Sequence, residues 1–285
     1  MQTLSPISEQ IIDIALTEDL IAGDYTAQAI CRDRNLVSRG YLIAKADLVI
    51  CGQHIFECVL EKIQARTYGS FQPVTIEFLF PDGTSVSKGT KIATFSGSTE
   101  ILLKAERTAL NFLQNLSGVA TQTRKMSEIL GSEIQLVNTR KIPAGMRELH
   151  HYAVQCGGGR SHRFNLGSGI MLKDNHIAAA GSIRQAVALC RQSAPITLKI
   201  EVEVTNLAQV REAVEAHADI IMLDNMSHDE MKKACEIIGE RALIEISGNV
   251  TIDSVEQIRD LHVHFVSSGS LTHSVKAADI SMLFE

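Results

Sequence analysis

From residue 134 onward the sequence alternates short apolar runs with helical patterns, and this alternation limits the possible fold more than any other feature. The apolar runs lie at 134–138, 170–173, 196–204, 220–223, 243–247 and 264–267. Helical spacing follows at 144–156, 183–191, 207–216, 228–238 and 252–259. Strand–helix repetition of this kind predicts parallel strands joined by crossover helices. About six units are present, short of the eight in a full (β/α)₈ barrel. An irregular barrel and an open doubly wound sheet both fit that count. No GxGxxG follows a strand and no GxxxxGK[ST] occurs, so dinucleotide and P-loop readings have no support.

Polar or charged residues end nearly every run: Thr139-Arg140-Lys141, Lys173-Asp174-Asn175-His176, Glu203, Asp224-Asn225, Ser247-Gly248-Asn249 and Ser267-Ser268-Gly269-Ser270. One such ending means little, because loops are polar. Six in succession, mixing cations, carboxylates and Gly/Ser loops, point to a site at the rim where parallel strands end. Arginines and lysines clustered with His162 suit a ligand with several phosphates or carboxylates. The loops 247–249 and 268–270 offer backbone N–H groups to a phosphate. Glu203 and Asp224 suit ribose hydroxyls or a Mg²⁺ that itself holds phosphate oxygens. Glu201 and Glu203 share a strand face, and Glu203 is chosen because it lies nearer the end. The pattern describes a phosphorylated sugar with a diphosphate, plus an acidic co-substrate.

The charge distribution agrees. Residues 138–176 hold Arg140, Lys141, Arg147, Arg160, Arg163 and Lys173 against only Glu148 and Asp174, although the 285-residue chain carries a formal net charge of −6. A positive segment in an acidic protein is a local anion site and not a nucleic-acid or membrane surface. No apolar run approaches a membrane span and no signal peptide is evident at the N-terminus. The six cysteines are scattered without a CxxC pair, which predicts small buried hydrophobes in a reducing cytoplasm.

The N-terminal part reads as mixed α and β. Ser5-Pro6 is an N-cap with proline at the first helical position, opening a helix to about Leu20. A polar turn follows at 23–26, then β-type content at 39–50, a helix at 55–63, and strands at 75–80 and 90–96. A long helical stretch covers 101–130, with Ser117-Gly118 expected to break or bend it. By local pattern Arg107 is a surface arginine paired with a nearby glutamate. His150 and His151 read as packing or surface residues, and 157–159 as a flexible glycine loop or a ligand loop. Lys173, at a strand end in an apolar setting, could also serve as a Schiff-base lysine.

Nine ordered blocks carry a resemblance: EDLIAGDYT (18–26), ERTALNFLQNLSGVAT (106–121), TRK with Pro and Gly behind it (139–145), YAVQCGGGRSHRFNL (152–166), LKDNHI (172–177), EVEV (201–204), DIIMLDNM (219–226), EISGNV (245–250) and SGSLTHS (268–274). By these the chain resembles the quinolinate phosphoribosyltransferases, the carboxylating nicotinate-nucleotide pyrophosphorylases. The resemblance implies transfer of phosphoribosyl from phosphoribosyl pyrophosphate to quinolinate, with nicotinate mononucleotide, pyrophosphate and CO₂ as products in NAD biosynthesis. It implies an N-terminal α/β sandwich over 1–110, with 271–285 packing back on it, and an irregular α/β barrel of fewer than eight strands over 111–270.

It further implies a homodimer or higher assembly whose site takes Arg107 from the partner chain, against the surface-arginine reading. Thr139, Arg140, Lys141, His162, Arg163 and Lys173 match the pocket for the quinolinate carboxylates and the diphosphate. Glu203 and Asp224 match the carboxylates at the ribose and Mg²⁺. Ser247, Gly248, Asn249, Ser268, Gly269, Ser270 and His273 lie toward the phosphate end. Lys141, Lys173, Glu203 and Asp224 are the expected catalytic groups. Two departures flank the cationic loop: Asn138 stands where the family usually has Asp, and Ile142-Pro143-Ala144-Gly145 replaces the usual Thr-(Thr/Leu)-Pro-Gly. The alternatives are a nicotinate-specific phosphoribosyltransferase, a lyase using Lys173, and a non-catalytic paralogue that binds phosphoribosyl pyrophosphate.

Overall fold

The computed structural model describes residues 4–32 and 35–285. Its contacts divide the chain into two compact units, the first made of 1–124, 143–158 and 275–285, the second of 125–142 and 159–274. The first unit therefore runs past the expected boundary at residue 110 and takes in the 143–158 segment. Each unit has its own apolar core.

The first unit opens with α1 (Pro6–Leu20), where Ser5 Oγ accepts the N–H of Ser8 at 3.3 Å as the Ser-Pro pair predicts. The turn expected at 23–26 is instead the start of a short helix, α2 (Tyr25–Cys31), because Asp24 caps it by accepting the N–H of Ala27 at 2.8 Å. The segment 39–50 is two strands, β1 (Val37–Ala44) and β2 (Leu48–Val49). Next come α3 (Gln53–Arg66), β3 (Thr75–Phe78), β4 (Ser85–Val86) and β5 (Lys91–Ser98). The final strand, β12 (Ile280–Phe284), pairs antiparallel with β1, so one sheet has the order β12-β1-β5-β3.

Helix α4 (Thr99–Leu130) is continuous, and the break expected at Ser117-Gly118 is absent. Ser117 Oγ accepts the N–H of Cys51 at 3.0 Å and donates to its carbonyl at 3.2 Å. A Cβ at Gly118 would lie 2.3 Å from the Lys276 carbonyl oxygen, so this glycine serves close backbone packing. Gly157, after α5 (Arg147–Cys156), has the same use, since its Cβ would meet Ala120 O and Thr123 Cβ at 2.5 Å. Arg124 donates to the carbonyls of Cys156, Gly157 and Gly83, closing the C-terminus of α5.

The second unit is the predicted parallel α/β unit. Its strands are β6 (Gln135–Val137), β7 (Ile170–Leu172), β8 (Ile200–Val204), β9 (Ile220–Asp224), β10 (Leu243–Ser247) and β11 (Phe265–Ser267), in the order β6-β11-β10-β9-β8-β7. There are fewer than eight, as expected, and β6 and β7 are the edges. Between and after them run α6 (Asp174–Ala180), α7 (Ile183–Ser193), α8 (Leu207–Glu215), α9 (His228–Ile238), α10 (Ile252–Val255) and α11 (Ser270–His273). The run at 196–204 becomes a strand only from Ile200; Ile196 is fully exposed in the preceding loop. Among the described residues no helix is long and apolar enough to cross a membrane.

Candidate active site

Residues that pair across parallel strands point to the same side of a sheet, and every second residue along each strand joins them. Met171 pairs with Glu201, Glu203 with Met222, Met222 with Glu245, and Glu245 with Phe265. One face of the six-stranded sheet therefore carries Glu201, Glu203, Asp224, Glu245, Ser247 and Ser267, with Lys173 next in phase after β7. The other carries Leu136, Leu172, Val202, Val204, Ile221, Leu223, Ile244, Ile246 and Val266, all in the apolar core. A parallel sheet covered by helices on both faces would be apolar on both. Here one face carries all of the sheet's acidic side chains, set among Met171, Met222 and Phe265.

At the ends of β7 and β8, the ammonium of Lys173 forms an ion pair with the Glu203 carboxylate. Asp224 ends β9 on the same face. Asn225 Nδ2 donates to its Oδ2 at 2.8 Å, and Asn225 Oδ1 accepts from Asn249 Nδ2 at 3.1 Å. Asn225 and Asn249 adopt the left-handed conformation, φ 52° and 50°, which Asn tolerates better than most residues. Between them Gly248, at φ 93°, sits where a Cβ would come 2.3 Å from Asn225 Oδ1. The ends of β9 and β10 are thus cross-linked, and only glycine fits at 248.

Beyond β6 and β11, Thr139 Oγ1 accepts the N–H of Lys141 at 3.1 Å, and Thr272 Oγ1 donates to the Lys141 carbonyl at 2.9 Å. Gly269, His273 and the Lys141 side chain meet, since a Cβ on Gly269 would lie 2.9 Å from His273 Cδ2 and 3.1 Å from Lys141 Cδ. Ser268 is buried; its N–H donates to Val137 O at 3.1 Å and its hydroxyl to Val250 O at 2.7 Å. Ser270 Oγ lies 2.7 Å from that hydroxyl. Ser268 therefore holds the loop that presents Gly269. Arg107 belongs to the first unit and is exposed.

His162 is largely enclosed, its side chain 15% exposed. Its Nε2 lies 3.1 Å from Glu201 Oε2 and 3.3 Å from Glu245 Oε2, two carboxylates that are 3% and 2% exposed. Its Nδ1 accepts the N–H of Arg163 at 2.7 Å, and its own N–H donates to Asn138 Oδ1 at 2.9 Å. Burial alone would push the imidazole pKa down, but hydrogen bonds and charge from Glu201 and Glu245 push it up to about 10. The Glu201 carboxyl is pushed up to about 7, by burial first and by the Glu245 charge, with His162 opposing. These three groups are also the one set of metal-ligating side chains found close enough, among the described residues, to share a cation. With Nε2 in hydrogen-bond contact with both carboxylates, the proton satisfies that role.

Arg163 reaches the Gly169 carbonyl at 3.5 Å and Met171 Sδ at 3.6 Å. Burial, and then the nearby Arg140 charge, lower its pKa, while the charge of Glu201 acts the other way. Sequence reasoning put Glu203 at the site and passed over Glu201 and Glu245. The available signal was parity, since Glu201 is two residues before Glu203 and Glu245 two before Ser247. A cavity of about 1160 Å³ lies at the opposite end, where Lys199, Asp219, Leu243 and His264 lead into β8 to β11.

The chain matches the family described as quinolinate phosphoribosyl transferase, with its N-terminal domain over residues 24–117 and its C-terminal domain over 119–283. The probable nicotinate-nucleotide pyrophosphorylase (carboxylating) of Bacillus subtilis is 38% identical over 279 residues, covering 96% of this chain and 92% of that one. Its counterpart in Methanocaldococcus jannaschii is 36% identical over 283 residues, with 96% and 95% coverage. Among solved structures, NadC from Streptococcus pyogenes superposes with a TM-score of 0.90 at 41% identity, covering 99% of this chain and 98% of that one. The nicotinate-nucleotide pyrophosphorylase from Francisella tularensis gives 0.92 at 33% identity, with 100% and 98% coverage.

Proposed function

The chain belongs to the quinolinate phosphoribosyltransferase family, and from its place there as a decarboxylating pentosyltransferase of NAD biosynthesis we propose how its own residues do the work. The observation that carries the reading is the Lys173–Glu203 ion pair, on the charged sheet face that also bears Asp224. Phosphoribosyl pyrophosphate lies along the rim of that face. Glu203 and Asp224 sit beside the ribose, and Gly248, Asn249, Gly269, Ser270 and His273 lie toward the phosphate end. Lys141 and Lys173 neutralise the departing diphosphate, while the carboxylates stabilise positive charge growing at C1 of the ribose.

Arg140 and Arg163 hold the two quinolinate carboxylates with the ring nitrogen facing C1. Once that nitrogen is alkylated, the pyridinium is the electron sink for losing the adjacent carboxylate, so no separate acid or base is needed there. Glu203 and Asp224 are hard oxygen donors on one sheet face and fit Mg²⁺, which binds through one or two carboxylates plus substrate phosphates. When bound, the ion supplies charge neutralisation at the diphosphate. An ammonium clasped by a carboxylate is not a free amine nucleophile, which weighs against the lyase alternative at Lys173.

We further propose a homodimer or larger assembly in which Arg107 of the partner subunit completes the quinolinate pocket. Two inactive variants test this: Arg107→Ala mixed with Lys173→Ala regains activity through hybrid dimers, and no recovery on mixing counts against a shared site. For the reaction itself, protein supplied with Mg²⁺, phosphoribosyl pyrophosphate and quinolinate forms nicotinate mononucleotide, and nicotinate does not replace quinolinate. Turnover of nicotinate alone would shift the reading to the one-carboxylate alternative.

A further inference from the structure

The cluster of His162, Glu201 and Glu245 has no part in the chemistry above. Each polar atom of the His162 ring, and its backbone N–H, is spent inside the protein, on Glu201 and Glu245, on the Arg163 N–H and on Asn138. In this arrangement the ring has no atom left to offer a substrate carboxylate. The cluster nevertheless adjoins the two arginines assigned to quinolinate: His162 precedes Arg163 in the chain, and Asn138 lies two residues before Arg140. The other oxygens of Glu201 and Glu245 are buried without a hydrogen-bond partner.

We propose that Glu201 and Glu245 are positioning residues for the dicarboxylate substrate, acting through His162 to anchor the arginine-bearing loop and to set one buried negative charge under Arg140 and Arg163. The charge follows from proton counting. An imidazolium between two carboxylates carries −1. So does a neutral imidazole with one carboxylate protonated, the form favoured by the Arg163 N–H donated to Nδ1. Two arginines held together without substrate repel each other, and a fixed counter-charge below them keeps the fork in place until a carboxylate arrives. The electrostatics agree, since Arg140 disfavours the Arg163 cation and Glu201 favours it. His162 on this account grips no substrate itself. The inference rests on the quinolinate reading of the site.

The test is steady-state kinetics of the double variant Glu201→Gln/Glu245→Gln in the full-length enzyme, varying each substrate in turn. Glutamine keeps the shape, and with both carboxylates replaced the buried charge is lost in either proton form. The expected result is a rise of about tenfold or more in KM for quinolinate, with KM for phosphoribosyl pyrophosphate unchanged. A merely structural role would move both constants or kcat alone. Adding Asn138→Asp returns a buried charge beside the His162 N–H, and on this account lowers the quinolinate KM back toward wild type. A quinolinate KM that does not change, a parallel rise in both constants, or no recovery in the triple variant overturns the proposal. If the glutamine variant does not fold, the wild-type His162 Nε2 resonance decides. It stays in place on quinolinate addition if the ring is internal, and moves strongly if His162 is a direct ligand. An enzyme with no turnover of quinolinate at all would instead refute the reading on which this one rests.

Discussion

Two histidines twelve residues apart in the chain, His150 fully buried and His162 largely enclosed, show how differently the two units use polar groups inside the fold. His150 lies in the first unit, on α5, fully buried, with Nε2 against Asn115 Oδ1 at 2.8 Å. Burial, helped by the neighbouring His151 charge, lowers its pKa to about 4. His162 lies in the second unit between two carboxylates and is pushed up to about 10. The first is a neutral packing residue whose partner needs only one hydrogen bond. The second is part of a charge system with no purpose in packing alone, because apolar residues would fill the same space at less desolvation cost. The difference teaches that burial does not settle a histidine's role; its partners do.

The contrast can be broken by experiment, and the largest effect belongs to His162. His162→Leu leaves two buried carboxylates without their shared hydrogen-bond partner, and denaturant unfolding should show a loss of about 3–5 kcal/mol. Lys173→Ala removes one preorganised charge from the rim, so product formation should fall about 10²–10³-fold with the unfolding midpoint nearly unchanged.

His150 acts on the pH profile. Its folded pKa is depressed, so the unfolded state takes up a proton first as pH falls below its ordinary value near 6.5. Its contribution is fully present above pH 6.5 and is lost toward pH 4, on the order of 3 kcal/mol at its fullest. His150→Gln should flatten the fall in melting temperature between pH 6.5 and 4; an unchanged slope would mean that the neutral form is not favoured. Gly118→Ala brings a Cβ against the Lys276 carbonyl and should cost about 1–3 kcal/mol without altering KM for either substrate.

Much of the second unit was legible because its strands end in residues that a purely structural sheet would not need. Lys173, Glu203 and Asp224 were singled out by position; the register puts Glu203 and Asp224 on one face, and Lys173 forms an ion pair with Glu203. Glu201 and Glu245 were missed because nearness to the strand end was weighed above parity, and a buried carboxylate inside an apolar run looks like an interruption. The partnership with His162 joins three segments distant in sequence, and no local pattern encodes it. Short helices were also missed: α2 rests on the Asp24 cap, and α6 begins within the LKDNHI stretch and runs on to Ala180. Ser117-Gly118 misled for a different reason. Glycine was read as a helix breaker, whereas here it lets the backbone at Lys276 pass close to a continuous helix. Ile196 extended a strand prediction into a loop because apolar content does not distinguish an exposed loop residue from a strand residue.

The most direct test of the central claim, that this charged face carries out decarboxylating phosphoribosyl transfer to quinolinate, is the stoichiometry of the two small products. With quinolinate labelled at the carboxylate next to the ring nitrogen, the purified protein should release one CO₂ for each pyrophosphate formed. Pyrophosphate without labelled CO₂, or no pyrophosphate at all, would contradict it.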